Sequence, residues 1–159
     1  KQKDEMFLDE AVDQFSKAYQ KRYLNKTIPY EGILKLLGTL EEKGIKIAVN
    51  SNKRGDYTNA LVNKYFSQFS WIAVYGERER EGIPKKPDPS AALEIANHMN
   101  LPAEEVLYIG DSKTDMETGQ NAKMDTIGVA WGFRGAEELR ENNATYIVEK
   151  PEAILEYVI

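Results

Sequence analysis

Short β-branched runs alternate with amphipathic segments along most of this chain, and this order constrains the fold more than any other feature. Buried strands are predicted at Ile45–Val49, Trp71–Val74, Val106–Ile109 and Thr126–Ala130, with a weaker strand at Tyr146–Val148. Strands that alternate with helices are typical of βαβ units. The sequence therefore predicts an α/β fold with a parallel sheet covered by helices on both faces.

The segments between these strands carry apolar residues at helical spacing. An opening helix is predicted to about Tyr23, and it ends before Pro29. The other helices are predicted at about Glu31–Lys43, from Gly55 or Asp56 through Phe66, from Pro89 or Ser90, near Asp115–Lys123, near Ala136–Glu141, and from Pro151.

Small polar side chains follow two of the predicted strands. Asn50-Ser51-Asn52-Lys53 follows the first strand, and Gly110-Asp111-Ser112-Lys113-Thr114-Asp115 follows the third. In open α/β sheets, ligands bind beyond the carboxyl ends of the strands. We therefore expect a phosphate and metal site to be built from these two segments.

Asp111 and Asp115 are four residues apart at the start of a predicted helix, a spacing that directs both carboxylates to one patch. Two neighbouring carboxylates repel unless a cation lies between them. Mg²⁺ accepts one or two carboxylates together with water and a substrate phosphate. Helix caps explain the same two residues as well, because Asp is favoured at helix N-termini.

Ser51 and Asn52 lie where a strand passes into a helix. A hydroxyl and free backbone N–H groups at such a place hold phosphoryl oxygens. An isolated Ser-Asn pair is nevertheless more often a cap or a turn.

Lys86 precedes Pro87 in the loop Lys85-Lys86-Pro87-Asp88-Pro89. The proline restricts the backbone of Lys86 and so fixes the direction of its side chain. An ammonium held in this way neutralises a phosphoryl group and a carboxylate nucleophile together. A solvated basic loop is the alternative interpretation.

Composition excludes several classes of function. The formal net charge of -5 gives no general attraction to nucleic acid or anionic lipid, and the absence of cysteine excludes thiolate chemistry. No apolar run approaches the ~18 residues of a membrane span, so we expect no membrane partner and a cytoplasmic enzyme. The remaining candidates are weaker: we expect Trp71 and Trp131 to pack, His98 to be a partly exposed helix residue, and Arg134 to lie within reach of the site.

Taken together and in order, these motifs resemble those of the haloacid dehalogenase superfamily, and specifically its phosphoglycolate-phosphatase-like branch. Residues 47–53 match the family's strand that ends in Ser-Asn, Lys86-Pro87-Asp88-Pro89 matches its lysine loop, and residues 110–115 match its Gly-Asp-Ser-x-x-Asp motif. Trp131-Gly132-Phe133 resembles the family's next loop. The likeness covers about residues 28–159.

The resemblance implies a Rossmann-like core and a role for each matched residue. Ser51 would hydrogen-bond the phosphoryl group with help from the backbone of Asn52, and Lys86 would bridge this group and the nucleophile. Asp111 would bind Mg²⁺, and Asp115 would support the metal directly or through water. The substrate would be a small phosphorylated metabolite.

The chain departs from the family at its first motif. The family's Asp-x-Asp, which supplies the nucleophile and the acid/base, does not occur in this sequence. In the family, the strand bearing it lies between the strands matched by 45–49 and 106–109. We therefore expect residues 1–27 to be the C-terminal part of a helical cap and 28–159 to be a core without its first strand. We also expect roughly 50–80 further N-terminal residues in the natural protein.

The leading hypothesis is a Mg²⁺-dependent phosphomonoester hydrolase that acts through an aspartyl-phosphate on a phosphoglycolate-like substrate. One alternative is a sugar-phosphate mutase of the same superfamily. Another is a catalytically silent phosphate-binding module. A dinucleotide-binding domain fits poorly, because no Gly-x-Gly-x-x-Gly follows a strand.

Overall fold

The computed structural model describes residues 27–158 of the 159-residue chain. The predicted opening helix, to about Tyr23, lies outside these residues. The α-helices are α1 (Ile33–Glu42), α2 (Gly55–Phe66), α3 (Ser90–Met99), α4 (Lys113–Asn121) and α5 (Gly135–Glu141). The strands are β1 (Ile47–Arg54), β2 (Trp71–Glu77), β3 (Leu107–Gly110), β4 (Asp125–Val129) and β5 (Tyr146–Val148). Short 3-10 helices occupy Glu79–Glu81, Ala103–Glu105 and Pro151–Glu156.

Every strand pairing between these elements is parallel, as the alternation predicts. β1 pairs with β2, and β4 lies between β3 and β5. The fold is therefore an α/β Rossmann-like core, and the carboxyl ends of its strands carry the polar segments singled out above.

Two details differ from the sequence prediction. β1 continues beyond Val49 to Arg54, because β2 runs on to Glu77 and Arg54 still pairs with it after an irregular stretch. The segment 50–53 is thus a distorted strand end, whereas a turn was predicted. The last helix, from Pro151, is a 3-10 helix.

Apolar side chains cover the strands on both faces, because successive residues of a strand point to opposite sides. One core cluster joins α1 to β1, β4 and β5 through Leu36, Leu40, Ile47, Ile127, Val129, Val148 and Ile154. A second joins α3 to β3 through Ala92, Ala96, Tyr108, Ala122 and Met124. Ile127 and Tyr108 thus belong to different layers, and helices flank the strands on both sides.

A cavity of about 1040 Å³ separates the two sheets. Ile47–Asn50 of β1 and Leu107–Gly110 of β3 line it, and so do core side chains such as Leu36 and Ile95. Ile109, in the middle of β3, is 42% exposed. Within residues 27–158, β1 and β3 are therefore each paired along one edge only.

No helix within the described range is long and apolar enough to cross a membrane.

Candidate active site

The segments 50–52, 86–87 and 110–115 meet at the carboxyl ends of β1 and β3. The side chain of Lys86 connects them: its Nζ donates to Oδ1 of Asp115 at 2.7 Å and to the backbone carbonyl of Asn50 at 3.2 Å. Only 13% of the Lys86 side chain and 9% of the Asp115 side chain are exposed. The structure thus brings a shielded cation to the place where both polar segments end.

Asp115 lies in the first turn of α4, and its carboxylate is fully engaged. Oδ1 accepts from Lys86, while Oδ2 accepts from the hydroxyl of Ser112 at 2.7 Å and from the backbone N–H of Asp111 at 3.2 Å. Gly110 makes this packing possible, because a Cβ at that position would lie 2.2 Å from Cβ of Asp115. Asp115 therefore fixes Lys86 and the turn at 110–112.

Asp111 offers an oxygen for a cation. Its Oδ2 accepts from the backbone N–H of Phe133 at 2.8 Å, and its Oδ1 has no hydrogen-bond partner within residues 27–158. Gly132 packs so closely that an added Cβ would lie 2.2 Å from Cβ of Asp111. The loop after β4 thus holds this carboxylate in place with one oxygen free.

These residues fit a magnesium ion that takes most of its ligands from elsewhere. Across residues 27–158, no cluster of three or more His, Cys, Asp or Glu side chains is placed to hold a metal. Mg²⁺ is commonly bound through one or two carboxylates, water and substrate phosphate, so Asp111 suffices as a protein ligand from this part of the chain. Asp115 is less available, since both its oxygens already accept hydrogen bonds.

Ser51 and Asn52 are placed differently from each other. Ser51 lies between two residues that contact Lys86, and its hydroxyl accepts from the backbone N–H of Lys53 at 3.1 Å. The side-chain amide of Asn52 pairs with the backbone of Lys86: it donates to the carbonyl at 3.2 Å and accepts from the N–H at 2.9 Å. The Asn52 side chain therefore positions the lysine loop, and only its backbone is left to meet a phosphoryl group.

Three residues contribute contacts that the sequence did not indicate. Asn50 donates from its amide to the hydroxyl of Tyr108 at 3.0 Å, which links β1 to β3. Burial raises the pKa of Tyr108, and the nearby Asp115 carboxylate raises it further, so the hydroxyl stays neutral as an acceptor for Asn50. Asn121, at the end of α4, donates to the carbonyl of Pro87 at 2.9 Å. These contacts join residues distant in sequence, and only the position of Asn50 next to Ser51 hinted at them.

The weaker candidates lie outside this cluster. The Arg134 guanidinium is 3.9 Å from Glu138 and stands over the ring of Phe133, which is 86% exposed. His98 meets the hydroxyl of Tyr75 through Nδ1 at 3.2 Å. Trp71 donates to the carbonyl of Phe66, and Trp131 packs against the core.

Comparison with known proteins identifies the kind of protein that carries this arrangement. A sequence model described as haloacid dehalogenase-like hydrolase matches residues 1–129. A phosphoglycolate phosphatase of Psychrobacter arcticus is 31% identical over 154 residues, which cover 96% of this chain and 65% of the relative.

Solved structures give the same result for the fold. A crystal structure from Lactobacillus delbrueckii subsp. bulgaricus, provisionally assigned as a phosphoglycolate phosphatase, is 35% identical with a TM-score of 0.87. It covers 97% of this chain, which spans 63% of that protein. A Thermotoga maritima structure, provisionally assigned as a beta-phosphoglucomutase, shares the fold with a TM-score of 0.70 and 22% identity. The match covers 82% of this chain and 61% of the Thermotoga chain. The chain thus spans less than two thirds of the length of each of these three proteins.

Proposed function

This chain belongs to the haloacid dehalogenase-like hydrolase family, and we propose that it forms the larger part of a Mg²⁺-dependent phosphatase for a small phosphorylated metabolite. The observation that carries this proposal is the shielded pair of Lys86 and Asp115, with Asp111 beside it at the same edge of the sheet. Phosphoryl transfer needs positioned charge more than elaborate covalent chemistry. The ammonium of Lys86 supplies a fixed positive charge for a phosphoryl oxygen, and the free oxygen of Asp111 supplies a negative charge for a metal ion.

Lys86 has the central role in this proposal. Its Nζ keeps one donor beyond the two used for Asp115 and Asn50, because an ammonium has three. The remaining donor would bind a phosphoryl oxygen and counter the charge that develops in the transition state. Ser51 and the backbone of Asn52 would hold the other phosphoryl oxygens from the end of β1.

Asp111 would be this chain's ligand to magnesium, and Asp115 would keep both Lys86 and the 110–112 turn in position. The metal would supply neutralisation of phosphoryl oxygens when bound. The arrangement of Asp111 supports this assignment, because Phe133 and Gly132 fix the carboxylate while Oδ1 stays open.

The attacking carboxylate would come from a segment with the family's Asp-x-Asp, a motif that this sequence lacks. Covalent catalysis by a carboxylate divides one hard step into two easier ones through an aspartyl-phosphate. The cavity between β1 and β3 supports this part of the proposal, since it opens beside Asn50 and Asp111. Residues 1–27 would then belong to a helical cap, and 28–159 to the core.

The substrate we propose is phosphoglycolate or a similar small phosphate ester, because the Psychrobacter relative carries that name at 31% identity. A sugar-phosphate mutase is the second candidate, because the fold is compatible with both activities: the Thermotoga structure that shares it is provisionally assigned as a beta-phosphoglucomutase. The two differ in the fate of the phosphoryl group. Release of inorganic phosphate in the absence of any acceptor supports the hydrolase.

The test is hydrolysis of p-nitrophenyl phosphate and of phosphoglycolate by the full-length protein, with Mg²⁺ and with EDTA. We expect phosphate release that depends on Mg²⁺ and is nearly lost in Asp111→Asn. Binding of phosphate without turnover would support the silent binding module in place of the enzyme. Turnover in Asp111→Asn equal to that of the wild type would reject the metal role of Asp111.

A further inference from the structure

Arg78 forms a compact cluster outside the phosphate and metal site. Its guanidinium donates to both carboxylate oxygens of Glu94, at 2.6 and 3.2 Å, and lies over the ring of Tyr75 at 3.7 Å from the ring centre. The Tyr75 hydroxyl donates to the same carboxylate at 2.9 Å. Only 16% of the Arg78 side chain is exposed. Bidentate pairing and stacking of this kind fix the plane of a guanidinium. The ammonium of a lysine is not planar and could not make the same contacts.

The cluster ties together the two ends of the loop that carries Lys86. Arg78 directly follows β2, and Glu94 lies in α3, just beyond Pro89. The carbonyl of Arg78 also accepts from the N–H of Ile83 at 3.2 Å, which folds the first half of the loop back on itself. The Arg78–Glu94 contact therefore bridges β2 and α3, which also pack through Ala73, Ile95 and Met99, at the two ends of the loop 79–89.

Stability alone gives a poor account of this cluster. The Nε of Arg78 is buried and has no hydrogen-bond partner within residues 27–158. A buried donor without a partner is destabilising, and the Glu94 side chain is 34% exposed, so this ion pair is a weak source of net stability. The Arg78–Glu94 pair at the ends of this loop is therefore better explained by the geometry that it imposes on the loop.

Several contacts also hold the part of the loop around Lys86. Asn52 pairs with the backbone of Lys86, Asn121 donates to the carbonyl of Pro87, and Nζ of Lys86 reaches Asp115. Lys86 is thus held by local contacts, and the two ends of its loop are held by Arg78 and Glu94. A displacement of a catalytic group by about 1 Å can cost about 100-fold in rate.

We propose that Arg78 is a positioning residue that acts through Glu94 and Tyr75 to fix the loop presenting Lys86 to the phosphoryl group. The inference rests on the proposed phosphatase function for the role of Lys86. We call the contacts among Arg78, Glu94 and Tyr75 the clamp, and these contacts do not depend on that function.

The experiment compares Arg78→Met, Arg78→Lys and Glu94→Gln with a matched control in the full-length protein. The control is Arg54→Met, because Arg54 also makes a two-pronged pair, with Asp56, and lies over a tyrosine ring, Tyr57. That pair is 51% and 54% exposed and does not join the Lys86 loop to α3. With p-nitrophenyl phosphate, we expect Arg78→Met to lower kcat by about 10- to 100-fold with a smaller change in KM. Arg78→Lys and Glu94→Gln should show intermediate losses, and Arg54→Met should stay within about twofold of wild type.

A double variant separates positioning from a general loss of structure. In a Lys86→Met background, Arg78→Met should lower the residual kcat by less than about twofold, because its effect runs through the lysine that is gone. If the loss of kcat in the double variant equalled the product of the losses in the two single variants, the proposal would be overturned. So would a wild-type kcat in Arg78→Met.

Hydrogen exchange distinguishes failure of the clamp from failure of the proposed function. The hydrogen-bonded backbone amides of Ile83, Lys86 and Asp88 should exchange faster in Arg78→Met and Glu94→Gln than in wild type or Arg54→Met. If the wild type proved unable to hydrolyse phosphate esters, the phosphatase proposal would fall while this comparison still tested the clamp. Exchange in Arg78→Met indistinguishable from that in Arg54→Met would reject the clamp, whatever the enzyme does.

Discussion

The ammonium of Lys86 and the carboxylate of Asp115 lie 2.7 Å apart, although their positions in the chain differ by 29. One belongs to a loop after β2 and the other to the first turn of α4. Both side chains are largely shielded from water, so their attraction is screened less than that of a surface pair. This contact joins the two sheets at the edge where the polar segments end.

Lys86→Met should lower kcat for p-nitrophenyl phosphate by about 100-fold or more, because the transition state would lose its fixed cation. The free energy of unfolding should also fall by about 3 kcal/mol, since the Asp115 carboxylate would stay shielded without its partner. Steady-state kinetics and urea denaturation measure the two effects.

Lys150→Met is the matched control for this variant. Lys150 pairs with Glu152 at 3.4 Å, and the two side chains are 67% and 58% exposed. Exposed pairs contribute about 0–1 kcal/mol, so both kinetics and stability should stay close to wild type. Equal effects of the two substitutions would contradict the central position of Lys86.

Asp111→Asn should remove the response of the protein to magnesium. A ligand that binds only the folded state raises the midpoint of thermal unfolding, so millimolar Mg²⁺ should raise the Tm of the wild type and leave that of Asp111→Asn unchanged. Asp125→Asn, at an exposed aspartate that opens β4, should respond like wild type. A Tm in Asp111→Asn that rises with Mg²⁺ as much as in the wild type would place the metal elsewhere.

Two glycine-to-alanine substitutions should change stability in opposite directions. Gly38 lies inside α1, and a Cβ there would meet no atom of residues 27–158 within 4 Å. Gly38→Ala should raise the free energy of unfolding by about 0.5–1 kcal/mol, because alanine loses less conformational entropy in a helix. Gly110→Ala should lower it by about 1–3 kcal/mol, since its Cβ would lie 2.2 Å from that of Asp115. Denaturation curves that shift in the same direction for both variants would contradict the packing described for Gly110.

The Arg78–Glu94 pair should make stability depend on pH in the acid range. Hydrogen bonds from Arg78 hold the pKa of the Glu94 carboxyl below its ordinary value, against the opposing effect of burial. A carboxyl with a lowered pKa in the folded state binds fewer protons there than when unfolded, so it stabilises the fold above its unfolded pKa. This contribution is present at neutral pH and is lost as the pH falls through the lowered pKa of the folded state.

Urea denaturation of the wild type and Glu94→Gln at a series of pH values measures this effect. The difference in the free energy of unfolding between the two proteins should be largest near pH 7 and shrink toward pH 3. A difference that stays constant over this range would show that the charge of Glu94 contributes nothing to stability.

Much of the fold could be predicted from local patterns. The strand at Tyr146–Val148 has the predicted bounds, and the other predicted strands fall within a few residues of β1 to β4. Helix α2 begins at Gly55, one of the two predicted starts. The end of β1 was misjudged, because the pairing of Arg54 with Glu77 depends on a neighbouring strand and leaves no trace in local composition.

The candidate site divides in the same way. Asp111 and Asp115 stood out through their residue type and spacing after a strand, and Lys86 stood out because the following proline restricts its backbone. Their hydrogen bonds did not stand out: Asn52 is expected to help hold a phosphoryl group through its backbone, and nothing in the sequence indicates that its side chain pairs with the backbone of Lys86. Arg78 and Glu94 attracted no attention at all, since an arginine and a glutamate 16 residues apart match no motif.

The sequence by itself determined the alternation of strands and helices, the parallel order of the sheet and the chemical groups at its carboxyl edge, because these follow from periodicity and residue type over short spans. Only the tertiary structure decided which groups meet: that Asp115 holds Lys86, that Asp111 keeps an oxygen free, and that Arg78 is joined to Glu94. Hydrogen bonds and ion pairs act over about 3 Å, and the distances between residues far apart in the chain are fixed only when the strands and helices pack.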